Sequence, residues 1–78
     1  MAVEIVSPSE TAADVEEKVD VYLAAGTKTV WVVWPRTKHV TTYHRNGEVK
    51  KAGVGQFVEA PEVLAGVRIA VERLFPEV

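Results

Sequence analysis

Apolar positions change their spacing several times along the chain, and each change predicts an element. "AVEIV" at residues 2–6 is β-branched, apolar and of strand length. Ser7-Pro8-Ser9-Glu10 stops it, because proline cannot continue a central strand and serine favours turns and caps. From Thr11 the spacing becomes helical: Ala12, Val15, Val19, Tyr22 and Leu23 share about one third of the circumference, which predicts a helix to Ala25 with a core-facing stripe. Thr11 and Asp14 approximate a capping box, Ser7 to Glu10 offers a start one turn earlier, and Gly26 suits the left-handed residue after a helix. "KTVWVVW" (28–34) is apolar without alternation, as in a strand covered on both faces, and Pro35 ends it. "HVTTYHR" (39–45) alternates, and Asn46-Gly47 predicts a type I′ hairpin into "EVKK" (48–51). Beyond Gly53 and Gly55, "QFVE" (56–59) reads as a short strand, "PEVLAG" (61–66) as a helical turn, "VRIAV" (67–71) as a strand and "ERLF" (72–75) as a last helical turn before Pro76.

This order predicts an α/β fold of the α+β kind: one domain over 1–78, a mixed sheet with a parallel crossover through a single main helix, then a hairpin and short closing elements. The helix covers one face of the apolar strand 28–34, and the chain offers little for the other. Self-association into a homo-oligomer is the expectation that follows.

Composition changes little. A hydrophobic share of 47% and a charged share of 26% are ordinary for a globular protein. At 78 residues the core is thin, since about 60–65% of the unfolded surface is buried at this size. No apolar run has the roughly 18 residues of a membrane span, so no membrane role is expected and a cytoplasmic setting follows by default. The absence of cysteine excludes disulfides and thiolate metal sites. The net charge of −2 is unevenly spread: residues 1–27 carry −5, with Lys18 their one base, and residues 28–51 carry +5, with Glu48 their one acid. That basic segment could face an anionic partner, but the chain as a whole is not a basic nucleic-acid binder.

Chemistry-bearing residues are few. His39 and His44 lie five apart on one strand, point to opposite faces and cannot share a metal; both read as surface residues. Asp14, Glu16, Glu17 and Asp20 spread around the helix as a solvated face. Gly53-Val54-Gly55 lacks the lysine and context of a phosphate loop. Trp31 reads as core, Trp34 as packing or interface, and Tyr22 and Tyr43 as amphipathic packing residues. Glu4, set in an apolar strand, could pair with Lys18 or cap the helix; Lys18, beside the stripe, could equally pair with Asp14 one turn earlier.

"AVEIVSPSE", the helix with "EEKVDVYLAAGTKTVWVVWP", "VTTYHRNG" and the closing "VLAGVRIAVERLF" resemble the C-terminal half of the Uma-type restriction endonucleases of the PD-(D/E)XK nuclease superfamily. The resemblance covers essentially the whole chain, in order. It implies a restriction-endonuclease-like half domain and a Mg2+-dependent hydrolysis of DNA phosphodiesters. Carried over, Glu4 matches the acidic metal ligand and Lys18 the catalytic lysine, displaced from the strand to the helix; Val6 stands where an ExK motif would place that lysine. The family's Pro-Asp before this strand has no counterpart here, and Trp34 stands where the family usually has Asp. The expectation is therefore an endonuclease-derived chain lacking the first metal-binding Asp and inactive alone, with a weak Mg2+ site unless Glu10, Asp14 or another subunit contributes. The alternative is a non-catalytic, self-associating interaction or regulatory module.

Overall fold

The computed structural model describes residues 1–61 and 65–75. They form β1 (Ala2–Ile5), α1 (Ala12–Ala24), β2 (Thr29–Trp34), β3 (His39–His44), β4 (Val49–Gly53), β5 (Phe57–Glu59), β6 (Arg68–Ala70) and a 3-10 turn over Val71–Leu74. Each lies within two residues of its predicted bounds. The helical turn predicted over 61–66 falls on residues 62–64, outside the described residues.

Four strands make a mixed sheet in the order β1-β2-β3-β4, and β5 and β6 pair as a separate antiparallel ribbon. β1 runs parallel to β2 with Glu4 opposite Val32, and α1 provides the crossover that a parallel pair requires. β3 runs antiparallel to β2 and β4, with Trp34 opposite His39 and Thr41 opposite Lys51. Local chemistry starts the helix: the Thr11 hydroxyl accepts from the Asp14 N–H, and the Asp14 carboxylate accepts from the Thr11 N–H, a complete capping box. Gly26, at φ 94°, takes the left-handed position after the helix. Val15 and Val19 then seat α1 against Val30 and Val32, with Val6, Tyr22 and Trp34 at the margin. Ala12, predicted in the stripe, is exposed at the first turn.

Three expectations are corrected. The second face of β2 is covered from within the chain: Trp31, Val33, Val40 and Ala52 pack beneath Val58, Ala60, Val71 and Phe75 of the C-terminal elements. The argument for self-association from an uncovered β2 therefore fails. No closing element contributes more than one buried side chain, and Ala60 and Phe75 lie just outside them, too little to announce a cover in the sequence. What stays uncovered is β1, at the sheet edge. Val3 and Ile5, in register with Trp31 and Val33, are 49% and 65% exposed. Second, His44 is buried rather than on the surface, because the alternation of β3 puts it with Val40 and Thr42 on the covered face, while His39 is half-buried. Third, the 45–47 loop is not type I′. Gly47 has φ 94°, but Lys38 is the one non-glycine with positive φ among the described residues, so Asn46 does not adopt the required conformation. The Gly47 N–H donates to His44 O and the His44 N–H to Glu48 O, closing a three-residue loop with its last residue left-handed.

Candidate active site

The site forms where β1 meets α1. Alternation along β1 turns Glu4 and Val6 toward the helix. Val6 joins the apolar cluster there, and Glu4 meets the border of the helical stripe. That border carries Lys18 and, one turn on, Tyr22. The Lys18 Nζ lies 3.0 Å from Glu4 Oε1, and the Tyr22 hydroxyl donates to Glu4 Oε2 at 3.1 Å. A third group comes from the turn between β1 and α1. The Glu10 N–H donates to Ser7 O and Glu10 Oε1 accepts from the Ser7 N–H, folding this carboxylate back so that its Oε2 sits 2.6 Å from Lys18 Nζ. The carboxylate side chains are largely withdrawn from water, Glu4 at 17% and Glu10 at 16% exposed, whereas that of Lys18 remains 47% exposed.

The charges reinforce one another. Hydrogen bonds to Glu10 first and Glu4 second hold the Lys18 ammonium well above the usual lysine range. The Lys18 hydrogen bond, helped by the Ser7 N–H, holds Glu10 below the usual carboxylate range. The bond to Glu4 pushes the Tyr22 phenol up. The cluster thus sets the Glu4 and Glu10 side chains around the Lys18 ammonium, beside an open cavity of about 910 Å³. An ammonium has three N–H donors; two serve Glu4 and Glu10, which leaves one for an incoming anion.

The sequence-predicted pair, Glu4 and Lys18, is thus brought together. Lys18 reaches past Asp14, whose carboxylate is engaged in the capping box and held below its usual range by the Thr11 backbone. Glu10 was foreseen as a possible further ligand, not as a partner of Lys18; the Ser-x-x-Glu spacing of Ser7 and Glu10 was its signal. Tyr22 was missed as a polar contact, although its place four residues after Lys18 on one helical face points there. Magnesium prefers octahedral oxygen coordination, commonly one or two carboxylates with water and substrate oxygens. Among the described residues no group of three or more His, Asp or Glu side chains could hold a metal ion, and an ammonium stands between the two carboxylates here. These residues do not by themselves fit a metal centre.

At the same end of the sheet Trp34 closes β2. Its indole N–H donates to Thr41 Oγ1 at 3.1 Å, and its ring stacks on His39, centroids 5.7 Å apart and planes inclined by 15°. Among the described residues no helix is long and apolar enough to cross a membrane.

A solved structure, described as a "putative nuclease belonging to DUF820 from Anabaena variabilis ATCC 29413", matches 95% of the chain with a TM-score of 0.81 at 23% identity. The chain spans 42% of that protein's length. No curated protein matches it. The sequence profile of the Uma2 family, described as "Putative restriction endonuclease", matches residues 1–72, and with that match over nearly its whole length the chain belongs to the Uma2 family.

Proposed function

We propose that the chain carries the strand-and-helix portion of a Mg2+-dependent DNA endonuclease site, in which Glu4 is the carboxylate offered to the metal and Lys18 the cation that meets the scissile phosphate. The reading rests on one observation above all: β1 and α1 bring Glu4 and Lys18, 14 residues apart, to 3.0 Å. Hydrolysis of a phosphodiester places added negative charge on the phosphate oxygens in the transition state, and a fixed ammonium stabilises it there. Lys18 is held protonated by its two carboxylates and retains a donor for that oxygen. Tyr22 and Lys18 together fix the Glu4 carboxylate through both of its oxygens. The remaining metal ligands come, on this reading, from another subunit, so the chain alone is expected to cleave feebly or not at all.

The test is nicking of supercoiled plasmid in Mg2+ or Mn2+ by the purified chain, beside Glu4→Ala and Lys18→Ala. Nicking abolished by both substitutions supports the reading, and nicking indifferent to both refutes it. Should the parent be silent, duplex affinity decides: Lys18→Ala must weaken it.

The exposed edge of β1, with Val3 and Ile5 beside it, favours a second reading: a non-catalytic module that self-associates by strand pairing. A single monomeric species in sedimentation equilibrium up to high micromolar concentration would exclude it.

A further inference from the structure

Beside the Glu4–Lys18 cluster lies a second cavity of about 660 Å³, walled by Val6, Pro8, Trp34 and Pro35 with the exposed Arg36. It shares Ser7 and Glu10 with the cavity that holds Lys18, so the two adjoin across one wall. We propose that this cavity takes an unstacked nucleobase of a DNA strand against Trp34, with Arg36 on the flanking phosphate. The proposal rests on the nuclease reading for what brings the strand there, and it adds where the neighbouring nucleotide goes.

Two observations carry it. The indole is fixed on both counts that matter for stacking: its N–H is given to Thr41, and its ring is stacked on His39, whose own Nδ1 is hydrogen-bonded to the Thr37 hydroxyl. With the donor engaged and the ring stacked on His39, Trp34 offers a ligand in the cavity only its remaining apolar ring surface and no hydrogen bond, which suits any base equally. The surroundings suit an anionic strand. Arg36 and Lys38 are exposed in the turn after β2, and Lys51 follows on the same sheet face, opposite Thr41. Burial, aided by Lys51, holds His39 below the usual histidine range, so the stacked pair is neutral at neutral pH. The one carboxylate in the wall, Glu10, is already matched by Lys18. Finally, a base inside a duplex has both faces covered by its neighbours, so the occupant is a frayed, flipped or single-stranded nucleotide.

Trp31→Phe leaves Trp34 as the sole tryptophan reporter and removes an indole N–H that is buried without a partner. In that background, without metal, single-stranded oligothymidylate and oligoadenylate should both quench Trp34 fluorescence. By anisotropy of a labelled strand, Trp34→Ala should weaken single-strand binding roughly 5- to 100-fold, Trp34→Phe should keep most of it, and Arg36→Ala should lower the salt slope by about 0.7. Thermal melts of each variant establish that it is folded, and Trp34→Phe and Arg36→Ala carry the test if Trp34→Ala is not. Unquenched fluorescence, or single-strand affinity that ignores Trp34, overturns the proposal. If the duplex still binds through Lys18 in that case, the nuclease reading stands. Stacking that persists while nicking proves independent of Glu4 and Lys18 supports the base site and fails the nuclease reading alone. A response confined to a proline-rich peptide overturns the base site in favour of polypeptide docking.

Discussion

Val19→Ala and Val21→Ala make the same chemical change two residues apart on α1, and their surroundings give it opposite signs. Val19 is 2% exposed, packed with Val15 against Val30 and Val32; Val21 is 64% exposed. At Val19 two buried carbons are lost at about 0.8 kcal/mol each. Incomplete collapse of the space adds about 0.5–1 kcal/mol. Against this, alanine is the better helix former by about 0.5 kcal/mol. The burial and cavity terms win, and the net destabilisation is about 2 kcal/mol. At Val21 there is little burial to lose, so the propensity term stands nearly alone and the substitution stabilises by about 0.3–0.5 kcal/mol. For a chain of this length each kcal/mol moves Tm by about 4–8 °C. Val19→Ala should therefore melt roughly 8–16 °C below the parent and Val21→Ala about 2 °C above it, in far-UV circular dichroism melts at matched concentration. Since Val19 adjoins Lys18, duplex affinity that depends on Lys18 should weaken only in the first variant. Shifts of one sign, within about 0.5 kcal/mol of each other, would refute the seating of α1 through this stripe, and with it the support for where Lys18 sits.

Thr11→Ala removes the hydroxyl half of the capping box and should cost about 1 kcal/mol, read as a fall in urea midpoint with m unchanged. Glu10 and Asp14 both have folded-state pKa values below their ordinary 4.5 and 3.8, so what they contribute is complete above those values and is lost as pH falls through the lower folded values. Tm should accordingly hold steady from neutral pH down to about 5 and fall below it; Glu10→Gln should flatten the upper part of that fall, and a parent curve flat into strong acid would contradict the assignment. Gly47→Ala should destabilise by about 1 kcal/mol from backbone strain alone, since φ is 94° and the added methyl meets nothing within 4 Å. Gly53→Ala, with no positive φ and Gln56 Oε1 at 3.9 Å, should be neutral or slightly stabilising in the same melts.

What could be read in the sequence was local. Thr11 and Asp14, three apart, announce their capping box, and the unbroken apolar run over β2 announces a strand covered twice. What could not be read depended on partners far along the chain. The cover on Trp31 and Val33 comes from Val58, Ala60, Val71 and Phe75, scattered in and beside elements of three or four residues whose periodicity is too short to register. His44 looked like a surface residue because nothing in β3 says which of its faces will be covered, and the C-terminal elements decide that. Within the site, Glu4 and Lys18 stood out through the family resemblance. Glu10 did not stand out as a partner of Lys18, because its position depends on a turn folding back through Ser7, and a turn leaves no apolar period to read.

The division of labour between β1 and α1 has a physical reason that joins fold to site. Residues two apart on a strand share a face, so Glu4 and position 6 both point at α1. A lysine at position 6 would replace the apolar contact that the partly buried Val6 makes at the margin of the helix-facing cluster with a longer, flexible stem. With valine at position 6 that margin stays apolar, and the ammonium comes instead from the border of the helix, where the Lys18 side chain stays 47% exposed. The cation thereby gains solvent access for an incoming anion while remaining 3.0 Å from Glu4. The arrangement also makes the site conditional on the packing beneath it. Glu4 belongs to the sheet and Lys18 to the helix, and the valines that join the two are what hold the pair together.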